Sequence, residues 1–221
     1  MQQKPLWFWL VLWLWPVAAY GQEAVTLSAN QFANGQAVEL DKLGWKYSPN
    51  DDPRFAEPQF DDSTWEPLKG TAITLDNIPK SGWHGLGWFR LRLKGDPTLA
   101  NQPLALVMVH YGASEIYLDG KLVERFGTVS TTPEAEVEYN PNTLPFSIVL
   151  DGRSEHVVAV RHSCMAMRSC PADGASGSPD KVSLYFVLRQ TTLSAMAQDL
   201  ASRLPSQGRS SRPYLRSTQS H

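Results

Sequence analysis

Apolar and polar residues alternate along several short stretches of this chain. From Trp88 to Lys94, Phe89, Leu91 and Leu93 share one face and basic residues occupy most of the other, which predicts a half-buried β-strand. The same alternation recurs over residues 146–150 and 182–188. Residues 104–109 are apolar at every position, which predicts a central strand that is covered on both sides.

A hairpin is predicted where two further strands meet. Glu115–Leu118 and Lys121–Arg125 flank Asp119-Gly120, and an Asp-Gly pair tolerates the positive φ angles of a tight turn. Shorter strands are predicted at Val157–Val160 and around residues 38–40. Residues 45–65 predict an ordered loop that is held down by its aromatic side chains. Clear strands about ten residues apart, with no convincing helix between them, are typical of a β-sandwich.

Both ends of the chain predict something other than the sandwich, which we assign to residues 22–190. Residues 1–21 combine Lys4, an apolar run and the small residues around Gly21, which predicts a secretory signal peptide. The alternative is an uncleaved membrane anchor, although the run is short against the roughly 20 residues that a bilayer needs. In both cases the body is exported, to the periplasm or outside the cell.

The C-terminal part changes character after Gln190. Leu193, Met196, Leu200 and Leu204 fall on one helical stripe, which predicts a short helical connector over residues 191–204. Residues 205–221 are almost all polar and predict a disordered tail.

Composition narrows the functional classes only a little. The 221 residues are 42% hydrophobic and carry a net charge of −2, which predicts one domain and gives no reason to expect a nucleic-acid partner. Cys164 and Cys170 are the two cysteines, and in an oxidising compartment they would close a small disulfide loop. Two free thiols remain the alternative.

Five segments carry a resemblance to a known family. They are Asp61–Trp65, Trp88–Arg90, Leu104–Val109, Tyr117–Gly120 and Val157–Arg161. In this order they resemble the galactose-binding-domain-like jelly roll, in the version found as the sugar-binding domain of family 2 glycoside hydrolases such as β-galactosidase and β-glucuronidase. The resemblance covers about residues 40–190. It implies a jelly-roll β-sandwich without catalytic residues, because that family carries its two catalytic carboxylates in a separate barrel domain.

A closer likeness is to the exported N-terminal sensor domains of bacterial membrane histidine kinases and nucleotide cyclases. Residues 45–53, 57–63 and 110–117 look like that group. In such proteins transmembrane helices and a cytoplasmic part follow the sandwich, whereas this chain ends soon after its last predicted strand. That departure suggests a truncated or frame-shifted product. Membrane attachment would then come only from a missing C-terminal part or from an uncleaved signal segment.

The predicted binding site lies in the loops at one end of the sandwich. Its residues are Trp83, His84, His110, Tyr111 and Arg161. Sugars are recognised by an aromatic face and a few polar groups, so we expect a carbohydrate or a similar small ligand. Alternatively, Trp83 packs over the end of the sandwich and Arg161 pairs with Glu115, and for Arg161 we favour this structural pairing.

Paired carboxylates at residues 51–52 and 61–62 give little sign of catalysis. Adjacent loop residues do not face each other across a substrate, and capping of turns is the expected role. A structural calcium near Asp51 and Asp52 is the alternative. No Gly-x-Ser-x-Gly element or phosphate-binding Gly-Lys loop is present, so we predict no enzyme and no cofactor.

Together these patterns predict a non-catalytic exported domain that binds a ligand or acts as a sensor, derived from the extracytoplasmic part of a membrane signalling protein. Two alternatives stay open. One is an accessory sugar-binding fragment of a family 2 glycoside hydrolase, and the other is a purely structural sandwich.

Overall fold

A computed structural model describes residues 24–73, 78–141, 144–165 and 182–190. Within them the protein is an all-β sandwich, as the sequence predicted, and its helices are three short 3-10 helices at Ala29–Gly35, Pro53–Ala56 and Pro97–Leu99. The strands are, in chain order, β1 (Val25–Leu27), β2 (Ala37–Glu39), β3 (Lys46–Ser48), β4 (Glu66–Pro67), β5 (Ala72–Ile73), β6 (Leu86–Gly95), β7 (Pro103–Val109), β8 (Ala113–Leu118), β9 (Lys121–Phe126), β10 (Pro145–Val149), β11 (His156–Ser163), β12 (Val182–Ser183) and β13 (Tyr185–Gln190).

Two sheets form the sandwich. The larger has the strand order β4-β3-β6-β11-β8-β9, and β1 joins it by pairing with β6 in parallel. The smaller has the order β10-β7-β13-β2. A separate pair, β5 with β12, is antiparallel. The two long central strands of the large sheet, β6 and β11, run side by side over eight residue pairs, so they fix the position of the loops at both ends.

The core lies between the two sheets and follows the predicted alternation. From the large sheet β6 contributes Phe89, Leu91 and Leu93, all with no exposed surface. From the smaller sheet the inward positions of β7, β10 and β13 join the same cluster. Removal of each such side chain from water contributes roughly 2 kcal/mol, which explains why the register of these strands is well determined.

The second face of β6 differs from its prediction. Arg90 was assigned to the polar side of a half-buried strand, yet neither it nor Trp88 on the same face has any exposed surface. The reason is that the segment from residue 49 to 65 folds back over the large sheet and buries Phe55, Ala56 and Trp65 against it. β7 departs from its prediction in the opposite sense. It was predicted to be covered on both faces, but its outward-facing residues are only partly buried.

The segment 45–65 is ordered, but it is more than a loop. Lys46–Ser48 forms β3 and pairs with β6, and Pro53–Ala56 forms a 3-10 helix capped by Asp52. β3 was missed because three residues are too few to show alternation, and because one of them is a buried lysine. The predicted signal peptide, connector and polar tail lie outside the described residues. In the described part no helix has the length and apolar character needed to span a membrane.

The hairpin between β8 and β9 forms as predicted. Asp119 has φ of 52° and Gly120 has φ of 83°, which is the backbone of a tight primed turn. We expect Gly120→Ala to lower the free energy of unfolding by about 1 kcal/mol, because alanine is strained at positive φ. Urea unfolding measures this. Gly152→Ala is the matched control, since Gly152 has open space around its Cα, and an equal loss in both variants would contradict the assignment.

Candidate functional site

Four of the five predicted binding residues lie at one end of the sandwich. Trp83 and His84 precede β6, and His110 and Tyr111 follow β7. His162, on β11, connects Trp83 with His110. The Trp83 ring stacks on His162 with centroids 5.8 Å apart, and the His110 ring meets His162 edge to face at 5.5 Å.

This end of the sandwich is mostly closed. His110 is 1% exposed and His162 is fully buried, while Trp83 also packs against the core. Trp83 therefore packs over the end of the sandwich, which was the alternative to a ligand contact. His84 and Tyr111 remain exposed, so they are the predicted residues that a ligand at this end could reach.

The two buried histidines are held in the neutral form. Burial lowers the pKa of His110 to about 4, although a hydrogen bond with the Tyr111 carbonyl opposes the shift. Burial also holds the pKa of His162 well below its ordinary value, and the proximity of His110 adds to this effect. His162 Nδ1 lies 2.8 Å from Ser114 Oγ. Within the described residues the Nε2 atoms of both histidines have no hydrogen-bond partner.

Arg161 lies apart from the other predicted residues. Successive residues of a strand point to opposite faces, so Arg161 lies on the outer face of the large sheet while His162 lies within. Arg161 Nη2 is 2.6 Å from Asp51 Oδ2, and Arg161 Nη1 is 3.4 Å from Glu115 Oε2. The expected contact with Glu115 is present, but Asp51 is the closer partner.

The carboxylates of Asp51 and Asp52 have protein partners. Asp51 accepts hydrogen bonds from Arg161 and from Trp88 Nε1, and Arg161 is the main reason that its pKa is lowered. Asp52 caps the following 3-10 helix and binds the Arg54 side chain. Among the described residues, no three His, Cys, Asp or Glu side chains are placed to hold a metal ion. The calcium alternative gains no support from this geometry.

The disulfide stays a prediction. Cys164 lies buried just after β11. Cys170 lies outside the described residues.

A buried charged cluster beneath the 49–65 segment was not found from the sequence. Asp62 is 2% exposed, and its carboxylate lies 2.8 Å from Arg90 Nε, 3.2 Å from Lys46 Nζ and 3.3 Å from Arg92 Nη2. Arg90 Nη1 also donates to the Phe55 carbonyl. The Phe60 and Trp65 rings lie over the Arg90 guanidinium at 5.7 and 5.9 Å, a favourable cation–π arrangement.

A cleft lies next to those aromatic rings, at the edge of the large sheet near β3 and β4. Its volume is about 480 Å³, and its lining residues are Tyr47, Ser48, Pro49, Asn50, Phe55, Phe60, Thr64, Trp65, Glu66 and Ser81. This volume is within the usual range for small-molecule sites. The sequence signal that could have found it is the density of aromatic residues between 45 and 65.

Glu66 shapes one wall of this cleft. Its Oε1 accepts from the Lys80 backbone N–H at 2.5 Å, and its Oε2 accepts from the Ser81 N–H and hydroxyl at 3.0 Å. Burial raises the pKa of Glu66, but these hydrogen bonds lower it more, so the group stays ionised. Tyr47 Oη donates to the Gly82 carbonyl at 3.1 Å. The 80–82 turn is thereby fixed against the sheet.

A second cavity, of about 410 Å³, lies among the loops that follow β6 and β10. Its lining residues are Lys94, Gly95, Asp96, Pro97, Ala100, Leu150, Asp151, Gly152, Arg153 and Ser154. No aromatic side chain lines it in the described part of the chain. Arg153 is already bound there by Asp151 and Asp119. The cleft near β3 and β4 is therefore the better candidate site.

Comparison with known proteins finds similarity to solved structures, and each of these structures is distant in sequence. No family model and no curated protein matches this chain. A β-glucuronidase of Bacteroides uniformis is 19% identical with a TM-score of 0.45, over 69% of this chain and 18% of that one. A glycosyl hydrolase family 2 member from Bacteroides cellulosilyticus is 17% identical with a TM-score of 0.46, over 69% and 20%. A β-glucuronidase from Ruminococcus gnavus is 13% identical with a TM-score of 0.41, over 70% and 29%.

The chain thus spans less than a third of the length of any of these three structures. Their names agree with the glycoside hydrolase part of the sequence resemblance. None of them corresponds to the sensor domains of histidine kinases, and that link stays a prediction.

Proposed function

We propose that this chain is an exported, non-catalytic domain that binds a carbohydrate-like ligand in the cleft near β3 and β4. The observation that carries the proposal is the lining of the cleft, in which aromatic rings lie beside hydroxyl and amide groups. Sugar rings present apolar C–H faces and many hydroxyls, and they are bound by this combination. The family resemblance of the sequence supports the same ligand class.

The cleft suits a ligand better than the sandwich end that the sequence favoured. At the sandwich end Trp83 and His110 are occupied with the buried His162, whereas Asn50 and Thr64 at the cleft are exposed. His84 and Tyr111 keep the sandwich end as a second candidate site, because both are exposed there.

Binding is tested on a glycan array with the purified chain. We expect Asn50→Ala together with Thr64→Val to weaken binding of any retained glycan by about tenfold, since the ligand loses polar partners in the cleft. Ser154→Ala, in the second cavity, is the matched control and should bind as the wild type does. Loss of binding in His84→Ala instead would move the site to the sandwich end. Absence of any bound glycan would favour the purely structural role.

The absence of catalysis is part of the proposal. Glycoside hydrolysis uses two carboxyl groups about 5–10 Å apart across the bond that is cleaved. Of the described residues that line the cleft, Glu66 is the single carboxylate, and both of its oxygens already accept hydrogen bonds from the 80–81 turn. We therefore place any glycosidase or kinase activity outside this chain.

We further propose that the domain serves as the sensor of a membrane signalling protein. Support comes from the sequence resemblance of residues 45–53, 57–63 and 110–117 to exported sensor domains. The alternative is an accessory domain of a family 2 glycoside hydrolase. The coding DNA beyond residue 221 distinguishes them, because membrane helices and a kinase core would support the sensor, and a barrel with paired glutamates would support the hydrolase.

A further inference from the structure

The charge of the cleft near β3 and β4 points to one class of sugar. We infer that the cleft binds neutral pyranosides and rejects uronic acids, an inference that rests on the proposed function. None of the described residues that line it is a lysine or an arginine, and its ionisable carboxylate is Glu66. A uronate would bring a second negative charge beside that group.

Three cations near the cleft are already paired, and the charge of Lys80 acts on Glu66. Arg90 lies beneath Phe60 and Trp65, where Asp62 binds it. Lys46 binds the same carboxylate, and Arg54 is paired with Asp52. A carboxylate ligand would therefore find no free cation among these three, and a charge that loses water without a partner is strongly disfavoured.

Glu66 itself offers little to a cationic amino sugar. Its oxygens accept hydrogen bonds from Lys80 N, Ser81 N and Ser81 Oγ, so its remaining capacity as an acceptor is small. Among the neutral polar side chains that line the cleft, those of Asn50 and Thr64 are exposed to a ligand, and that of Ser48 is mostly buried. Ser48 Oγ accepts from the Asn50 N–H at 3.2 Å, which leaves the Ser48 hydroxyl proton to donate. Hydroxyl and amide groups of this kind match the hydroxyls of a neutral sugar.

The test compares methyl β-D-glucopyranoside with methyl β-D-glucuronide by saturation-transfer NMR titration at low ionic strength. We expect the glucuronide to bind at least about tenfold more weakly, because of repulsion from Glu66 and the missing cation. Binding of the glucuronide as tightly as the glucoside would overturn the inference while the proposed function stands. If neither these glycosides nor any arrayed glycan binds, both fail.

A charge substitution provides a gain of function. Asn50→Arg places a cation at the exposed rim of the cleft, and we expect it to strengthen glucuronide binding at least about fivefold over the wild type. This gain should disappear at about 0.5 M salt because exposed charges are screened. The matched variant Asn50→Gln should show no gain. A gain in Asn50→Gln as well, or none in Asn50→Arg, would contradict the assignment of Asn50 to the ligand site.

Discussion

Replacement of Asp62 by alanine is expected to lower the free energy of unfolding by about 3–5 kcal/mol. Removal of one partner of a buried ion pair leaves an uncompensated charge in the interior. Here the charges left behind would be those of Arg90, which has no exposed surface, and of Lys46 and Arg92. The loss would also release the 49–65 segment, because the cluster joins that segment to β3 and β6.

The electrostatics of Asp62 support this expectation. Burial raises the pKa of Asp62, but the hydrogen bond from Arg90 and the charges of Arg92, Arg90 and Lys46 lower it by more, so the pKa lies below its usual value. The carboxylate is therefore ionised at neutral pH and cancels part of the positive charge around it. Asp62→Asn should lose most of the same stability, although it keeps the shape of the side chain.

Asp61 supplies the matched control for this prediction. It lies next to Asp62 in the sequence but is exposed, and its Oδ1 accepts from the Ser63 N–H at 2.9 Å. Loss of such a cap costs about 1 kcal/mol. Urea unfolding of the two alanine variants measures the difference. Equal losses would show that the cluster contributes little. The double variant Asp62→Ala with Arg90→Met should recover part of the stability, since the unpaired buried charge is removed.

Features of the fold that depend on residues close together in the sequence were easier to predict than features that depend on distant residues. The inward face of β6, the alternation of β10 and the Asp119-Gly120 turn depend on neighbouring residues, and each of them was predicted correctly. The last strand, predicted over residues 182–188, is divided into β12 and β13, which pair in different sheets. The burial of Arg90 depends on Asp62 and Phe55, which are 28 and 35 positions away. An arginine in an alternating strand indicates a solvent-facing side unless the covering segment is already known.

The candidate site was harder to predict for the same reason. The cleft unites residues 47–50 with residues 64–66 and Ser81, and no single motif spans these segments. His162 was not predicted as a site residue. It follows Arg161 on β11, and the charge of Arg161 indicates the opposite, outer face of that strand. The sequence could place polar and aromatic residues at the end of the sandwich, but it could not show that His110 turns inward against His162.

Acidification from pH 7 to pH 4 is expected to lower the free energy of unfolding by about 3 kcal/mol through His110 alone. In the folded protein its pKa is lowered from 6.5 to about 4, and in the unfolded chain it returns to its ordinary value. Between these values the unfolded state binds more protons, so stability falls as the pH falls. One pKa unit corresponds to 1.36 kcal/mol, so this difference between the folded and unfolded pKa of His110 amounts to about 3 kcal/mol of stability.

His162 adds to the loss in the same direction. It is fully buried, and its pKa is lowered well below 6.5 by burial and by the proximity of His110. The carboxylates with lowered pKa, such as Asp62 and Asp51, titrate in the unfolded state near their ordinary value of 3.8. Their stabilising effect is therefore lost mainly below pH 4. In the window from about pH 6.5 to 4 the histidines make the largest contribution to the loss of stability.

Thermal or urea unfolding at half-unit intervals between pH 7.5 and 4 measures this dependence. His110→Gln should flatten the profile, because glutamine does not titrate, even where the variant is less stable at pH 7. His84→Gln is the matched control and should keep the wild-type slope, since His84 is exposed. An unchanged slope in His110→Gln, or a wild-type protein equally stable at pH 7 and pH 4.5, would show that the two rings are not held neutral by burial. A flattened slope in His110→Gln alone would assign the acid sensitivity of the fold to the end of the sandwich where β7 and β11 finish.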